Sequence, residues 1–536
     1  MKLIKINKTL KNKIKNKKMK HKDKIKKILF ITPIIIILLL ISISLIFTLF
    51  IPSNLINEKI TEKPFGNTQL LIPELIDARI QNNSIHLTIQ KGEKEFYNGI
   101  KSETYGYNQN FLGPTILTHN GDDLNMSYDN KIEIETTIHK HGLHIQGSVD
   151  GGPQNKIYPN TPKTEILEIR QEASTNWYHP HIMGETAAQV HKGLAGMLIV
   201  KDNLSENYNL PNKYGINDIP LIIQDRQFVN GKMEYTAGLD EESFIGDTII
   251  INGDINPELK VPKGLVRLRF LNGANARILT LKFSDNRQFT KIATEGGFLD
   301  NSLPITEMIM ATGERNEILV DFSDGKQVYL LTGDNEGLDG QELLNLLSVT
   351  KNVKILKISV DESLPTNNKQ PQTKLNNIKY HNENQVKVIR TFNLGMGGEG
   401  GEENNENENQ VQNQNITQMM TMDMATGQMM TINGVSMDMN VINEKVKLGD
   451  LEKWIINSGE GVHPFHLHGA SFQIISQDGL KPKQEDKGWK DVVLVQDSAE
   501  ILVKFDFVAT KENPYMYHCH ILEHEDMGMM GQFTVQ

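Results

Sequence analysis

His518-Cys519-His520-Ile521-Leu522-Glu523-His524-Glu525-Asp526-Met527-Gly528-Met529 holds the single cysteine of this 536-residue chain. One cysteine cannot close an internal disulfide. It is flanked by histidines, with another histidine five residues on and a methionine ten residues on. One thiolate, two imidazoles and a weak axial thioether form the ligand set of a blue-copper electron-transfer site. On a strand, successive side chains point to opposite faces. His518 and His520 would then share one face while Cys519 takes the other. A short strand can thus hold one metal by sulfur and present two imidazoles to other metals behind it.

Three more His-X-His pairs work outward from this segment: His139-Lys140-His141, His179-Pro180-His181 and His466-Leu467-His468, the last preceded by His463-Pro464-Phe465. With His518 and His520 the pairs supply eight imidazoles, and His463, Cys519, His524 and Met529 remain for the blue-copper site. Ten of the sixteen histidines fall into these clusters. A lone pair of this kind is a weak signal, since most histidines are surface or core residues. Zinc is the obvious rival. A structural zinc site needs four ligands and usually more than one cysteine, whereas imidazole with thiolate and thioether suits copper. His144 and His191 lie near the clusters but fit no ligand position; each reads as a neighbour of the ligands or a surface residue. His86, His119 and His381 carry no signal, and His21 sits in a lysine-rich tail.

In this order the four motifs resemble those of the multicopper oxidases, the group containing laccases and bacterial cuprous oxidases. The resemblance covers roughly residues 65–536. It implies an all-β fold of three tandem cupredoxin domains (Greek-key sandwiches or barrels), four copper ions, and O2 as electron acceptor. It makes His463, Cys519 and His524 the type 1 ligands with Met529 axial, and His139 and His466 the type 2 ligands. His141, His179, His181, His468, His518 and His520 would hold the type 3 pair. It also implies two carboxylates that deliver protons to the oxygen site, matched by Asp150 and Glu525. Reducing O2 to two waters consumes four protons, and a buried site needs placed acids to relay them.

Apolar or alternating runs broken by Gly, Pro, Asn and Asp point to strands at 136–138, 196–200, 265–271 and 501–507, and no long amphipathic helix stands out. About 470 residues are too many for one domain. The expected units are 65–202, 203–362 and 380–536, the last reached through a polar, proline-marked linker at 364–371. All ligands fall in the first and last units. The middle one reads as a spacer that brings the ends together.

Residues 1–27 carry thirteen lysines and one aspartate, a charge of +12, and residues 28–51 carry no charge at all. Twenty-four apolar or neutral residues suffice to cross a bilayer. The apolar core of a cleaved signal peptide is shorter, and Ile51-Pro52-Ser53-Asn54 makes a poor cleavage site. The favoured expectation is an uncleaved anchor with the lysines in the cytoplasm, and the remainder on the periplasmic or outer face; signal cleavage is the alternative. Removing +12 from the total of −10 leaves about −22 for that remainder, which argues against nucleic acid as a partner and is compatible with a cationic substrate.

Residues 399–418 are almost entirely Glu, Gly, Asn and Gln, and cannot bury enough apolar surface to order themselves. A methionine cluster follows: Met419, Met420, Met422, Met424, Met429, Met430, Met437 and Met439. Thioether selects Cu(I) over Cu(II) or Zn(II), so this insert, 397–430, suggests capture of cuprous ions. It resembles the Met-rich insert of the periplasmic cuprous oxidases. Core packing is the other reading, and it suits Met437 and Met439 better than Met419 to Met424. Met396 aligns with a substrate-copper ligand of that subgroup. The segment before His463, Gly459-Glu460-Gly461-Val462, lacks the Asp and Met expected there and leaves only Glu460 to offer an oxygen. The leading expectation is a cuprous oxidase acting in copper detoxification. A laccase-type phenol oxidase and a copper carrier or non-catalytic cupredoxin scaffold are the alternatives.

Overall fold

A computed structural model describes residues 64–235, 243–333, 352–366, 369–397, 429–459 and 461–536. The basic tail, the apolar stretch 28–51, most of the Met-rich insert (Met419, Met420, Met422 and Met424 included) and Glu460 lie outside the described residues. Among the described residues no helix is long and apolar enough to cross a membrane.

The described chain is a succession of strands in six sheets, which pack as three two-sheet sandwiches. The longer strands show period-2 burial: Ser84–Tyr97 buries Ile85, Leu87 and Ile89 in its first half, and Leu451–Ser458 buries Glu452, Trp454 and Ile456. In the first sandwich, Ile85, Leu87 and Ile89 of one sheet meet Ile116, Leu198 and Val200 of the other. In the second, Leu221, Ile223, Leu268 and Phe270 meet Leu281, Leu330 and Ile358. In the third, Phe392, Trp454 and Ile501 meet Phe465, Val493, Tyr517 and Phe533. Leu70, near the start of the described chain, packs into the second core. The described helices are single turns; that of Thr186–His191 has six residues.

Strands at Gly196–Lys201 and Leu265–Asn272 form as expected. The expected strand at 136–138 does not: Thr136 makes only an isolated bridge to Ile157, and the strand starts at His139. The threonine side chains are used otherwise. Thr136 Oγ1 donates to Gln189 Oε1 (2.6 Å), and Thr137 Oγ1 accepts from the His181 N–H (2.7 Å), which fixes the turn carrying the next histidine pair. The last expected strand spans Ser498–Lys504 and ends before Phe505, which turns into the third core.

Candidate metal centre

The strands that carry the histidines are buried on both sides. In His139–His141, Ser174–His179, His463–Leu467 and Tyr515–Cys519 every residue is buried. One face of each belongs to its own sandwich; the other meets its counterpart from the opposite end of the chain. Antiparallel register sets His139 opposite His179, His466 opposite His518, and Phe465 opposite Cys519. Cross-strand partners point to the same side. His466 and His518 therefore face the junction while Phe465 and Cys519 face the third core, the two-sided arrangement read from the sequence.

At the junction the imidazoles form three sets. His181, His468 and His518 make one, His141, His179 and His520 a second, and His139, His141 and His466 a third; within each, the ligating atoms lie within 4.8 Å of one another. The rings of His139 and His468, and of His141 and His466, stack with centroids 3.8 Å apart. Trp177 stacks on His179 at 3.9 Å and walls that side.

Four of the eight imidazoles turn Nδ1 toward an acceptor. His139 Nδ1 lies 3.1 Å from the Asp150 carbonyl, His466 Nδ1 2.7 Å from the Asp491 carbonyl, His468 Nδ1 2.7 Å from Asp150 Oδ2, and His518 Nδ1 3.0 Å from the Cys519 carbonyl. These partners place the proton on Nδ1 and leave the Nε2 lone pair directed inward, the usual arrangement behind a metal-bound imidazole. Inside, His181 Nε2 and His468 Nε2 sit 3.2 and 3.3 Å from His518 Nε2. Nε2 of His139, His141, His179, His466 and His520 are buried with no hydrogen-bond partner. Burial also holds the imidazoles neutral: it pulls His468 down to about 4 and His520 to about 3, and lowers His141, His179, His181, His466 and His518 well below their ordinary value. Converging, neutral, otherwise unsatisfied imidazole nitrogens fit metal ions, and leaving so many buried polar atoms unpaired makes no sense as packing.

On the other face, Cys519 Sγ lies 3.4 Å from His463 Nδ1 and 3.6 Å from His524 Nδ1, and accepts from the Ile521 N–H at 3.5 Å. Burial pushes the thiol strongly up, so the thiolate needs a metal to form. Burial takes His524 down to about 3. Met529 is fully buried in the same core, and its carbonyl accepts from the Cys519 N–H at 3.1 Å.

Both predicted carboxylates touch the imidazoles. Asp150 Oδ2 bridges toward His468 (2.7 Å) and His139 (3.4 Å). Burial by itself would push the carboxyl up, but the two imidazoles hold it well below the usual range. Glu525 lies the other way: its oxygens sit 3.2 Å from His181 Nδ1 and 3.3 Å from His518 Nδ1, and burial, with Asp526 adding, pushes its carboxyl well above the ordinary value. Glu525 is thus a buried carboxyl of raised proton affinity set directly against two imidazoles. Glu525→Gln keeps the shape and removes the transferable proton. It is expected to slow O2 uptake by roughly 10²–10⁴-fold while the blue absorption from Cys519 stays. Unchanged uptake across pH 5–8 would leave Glu525 a structural residue.

The structure adds residues that sequence reasoning passed over. Arg315 is fully buried and grips Asp491 with both ends of its guanidinium, at 2.8 and 2.6 Å; its Nη1 lies 3.1 Å from His141 Nδ1. Asp491 Oδ2 is itself 3.6 Å from His141 Nδ1. Thr312 Oγ1 donates to the His520 carbonyl at 2.7 Å. Gly313 (φ +80°) brings backbone against the His520 ring, where a Cβ would stand 2.8 Å from it. A Cβ on Gly142 (φ +91°) would overlap Arg315 Nη2 and Asn176 Oδ1. The stretch 203–362, expected to be a spacer without chemistry, thus forms one wall of the imidazole cluster. Asp526 accepts from the Thr186 and Ala187 N–H groups at 3.0 and 2.9 Å, and Glu523 accepts from Tyr235 and Asn275. Together they pin the turn Leu522–Asp526 that carries His524 and Glu525.

His144 and His191 join no metal set: His144 Nε2 faces Ser471 Oγ at 2.9 Å, and His191 packs on Tyr235 and Phe244. Of the candidate substrate-copper residues, Met396 is described only in its backbone, paired with Met430 between neighbouring strands. Met430 is buried in the third core.

Residues 88–205 and 406–536 match the multicopper oxidase family. The multicopper oxidase Mco of Staphylococcus aureus is 38% identical over 88% of this chain and 93% of its own length. The cell division protein FtsP of Dickeya dadantii is 33% identical, with 88% and 93% covered. Among solved structures, a laccase-like multicopper oxidase from Ochrobactrum sp., described as having oxidase activity towards lignin model compounds and lignosulfonate, superposes with TM-score 0.77 at 36% identity, covering 87% of this chain and all of that one. Sandwich cores, imidazole sets and overall likeness agree: the chain belongs to the multicopper oxidases, copper-dependent oxidoreductases that oxidise a reducing substrate with O2 as acceptor.

Proposed function

We propose that the chain holds four copper ions and oxidises Cu(I). The type 1 ion would be held by His463, Cys519, His524 and Met529, and the type 2 ion by His139 and His466. The type 3 pair belongs to the sets His141, His179, His520 and His181, His468, His518. Copper bound there would supply one-electron acceptance on the Cys519 side and reduction of O2 to water on the imidazole side. The observation that carries this reading is the convergence of buried, partnerless imidazole nitrogens behind Cys519. The chain's own part is to hold both sides in one covalent segment, 518–520, so that sulfur and imidazoles are joined by a few bonds. Asp150 orients His468 and His139; Glu525 stands beside His181 and His518, where it would relay protons. Trp177, Arg315 and the loop at 311–315 exclude water from the cluster.

Cuprous substrate is supported by the methionines Met419, Met420, Met422 and Met424 preceding the His463 motif, with Met396 and Glu460 as further candidate ligands, because soft thioethers favour Cu(I). The role is copper detoxification on the outer side of a membrane, with residues 28–51 as anchor. A phenol-oxidising reading is favoured by the likeness to the Ochrobactrum enzyme. O2 uptake by the copper-loaded full chain decides between them. Fast turnover of Cu(I), with a dimethoxyphenol slow unless Cu(II) is added, is the expected result. Fast phenol turnover with little Cu(I) activity overturns the cuprous assignment. No uptake with either makes the chain a non-catalytic copper-binding protein.

A further inference from the structure

One apolar cluster in the described chain is built from a single residue type. Met437, Met516 and Met530 are buried together, and the partly buried residues packed on them are Met183 and Met439. Every larger core is a mixture of Leu, Ile, Val and aromatic residues. Methionine is only 21 of 536 residues. Leucine packs as well with less side-chain entropy to lose, so packing alone gives no reason for five thioethers and no aliphatic neighbour.

The cluster also has a defined place. Met516 precedes His518 by two residues on the strand Tyr515–Cys519 and so shares its face. Met530 is the cross-strand partner of His518. Met183 follows His181 by two residues, and the Met516 carbonyl accepts from the His468 N–H at 2.9 Å. Each of the three imidazoles in the set His181, His468, His518 is thus tied to a member of the cluster through one or two residues. Met183 and Met439 are the partly exposed members, while Met516 and Met530 are the inner ones.

We propose that these five methionines form a Cu(I) site that loads the His181–His468–His518 position. The imidazole set is fully buried, so an ion reaching it must first shed its water. Neutral thioethers replace water around Cu(I) without adding charge and release it to imidazole, a stronger donor. The transfer exchanges neutral ligands only; copper stays Cu(I), and no electron or proton moves. This inference rests on the reading of that imidazole set as a copper site, and the wild-type controls report on that reading separately.

The test uses the full chain stripped of copper and reloaded anaerobically with the Cu(I)–acetonitrile complex, comparing wild type with M183L/M437L/M439L, a volume-conserving change of the kind cores tolerate best. Two quantities are read: sulfur coordination of copper by X-ray absorption at substoichiometric loading, and the rate at which O2 uptake is regained after air is admitted. The expected variant loses the all-sulfur signal and regains O2 uptake at least roughly 10-fold more slowly, while the blue band of Cys519 returns at the wild-type rate. That band also shows that the variant has folded; were it lost, Met183→Leu alone is judged by the same two readouts. Equal sulfur signal and equal recovery in variant and wild type would make the cluster packing and overturn the proposal. So would a variant that reloads normally but turns over Cu(I) poorly, since the thioethers would then serve substrate. If wild type itself takes up no nitrogen-ligated copper, it is the imidazole reading that fails.

Discussion

Cys519→Ser is expected to abolish the blue absorption and to bring O2 uptake with any reducing substrate down to background. Serine differs from cysteine by one atom, so the buried slot in the third core is kept and the fold with it. The hydroxyl is a harder ligand that stays protonated at neutral pH, and it replaces the one soft anionic donor among His463, His524 and Met529. The imidazole sets on the other face of the strand do not contain Cys519. They are expected to retain their copper, so that metal content falls by one ion per chain rather than by all. The measurements are copper content, visible absorption and O2 consumption on the same sample. Turnover persisting in a variant without the blue band would mean that electrons reach the imidazole cluster by a route that bypasses Cys519.

The converging histidines were legible because each pair is contiguous in the chain. A strand's two-residue period converts His-X-His into two imidazoles on one face without any knowledge of the rest of the fold. The all-β class was legible for the same reason, through alternation in segments such as Ser84–Tyr97. Where alternation is short it misleads: at 136–138 the threonine hydroxyls hold Gln189 and the His181 turn, and the ladder starts three residues later. Residues that act only through tertiary approach left no signature. Arg315 stands 176 residues from Asp491 and 174 from His141, in a stretch with no ligand of its own, and nothing local separates it from an ordinary strand arginine. Met516 and Met530 flank the copper motif at unremarked positions. Only the register of their strands brings them beside Met183 and Met437.

Arg315→Met is expected to damage stability and the imidazole cluster together. The guanidinium is fully buried and paired at both nitrogens with Asp491; removing one partner of such a pair leaves an uncompensated buried carboxylate and costs about 3–5 kcal/mol. Asp491 does two things at once. Its carbonyl faces His466 Nδ1 at 2.7 Å and its carboxylate faces His141 Nδ1 at 3.6 Å. A shift of this one residue therefore turns two stacked imidazoles, and O2 uptake is expected to fall roughly 10–100-fold while the blue band of Cys519 persists. Arg315→Lys supplies charge but not the planar two-point grip, and should recover stability better than it recovers uptake. The decisive comparison is R315M/D491L. Replacing both members of a buried ion pair by apolar residues can restore stability, yet the charged groups that face His141 Nδ1 are gone. A double variant that melts like wild type and still reduces O2 slowly, with altered electron paramagnetic resonance from the imidazole-bound copper, identifies the Arg315–Asp491 pair as a positioning device. Full recovery of uptake would show that it serves only to join the sandwiches.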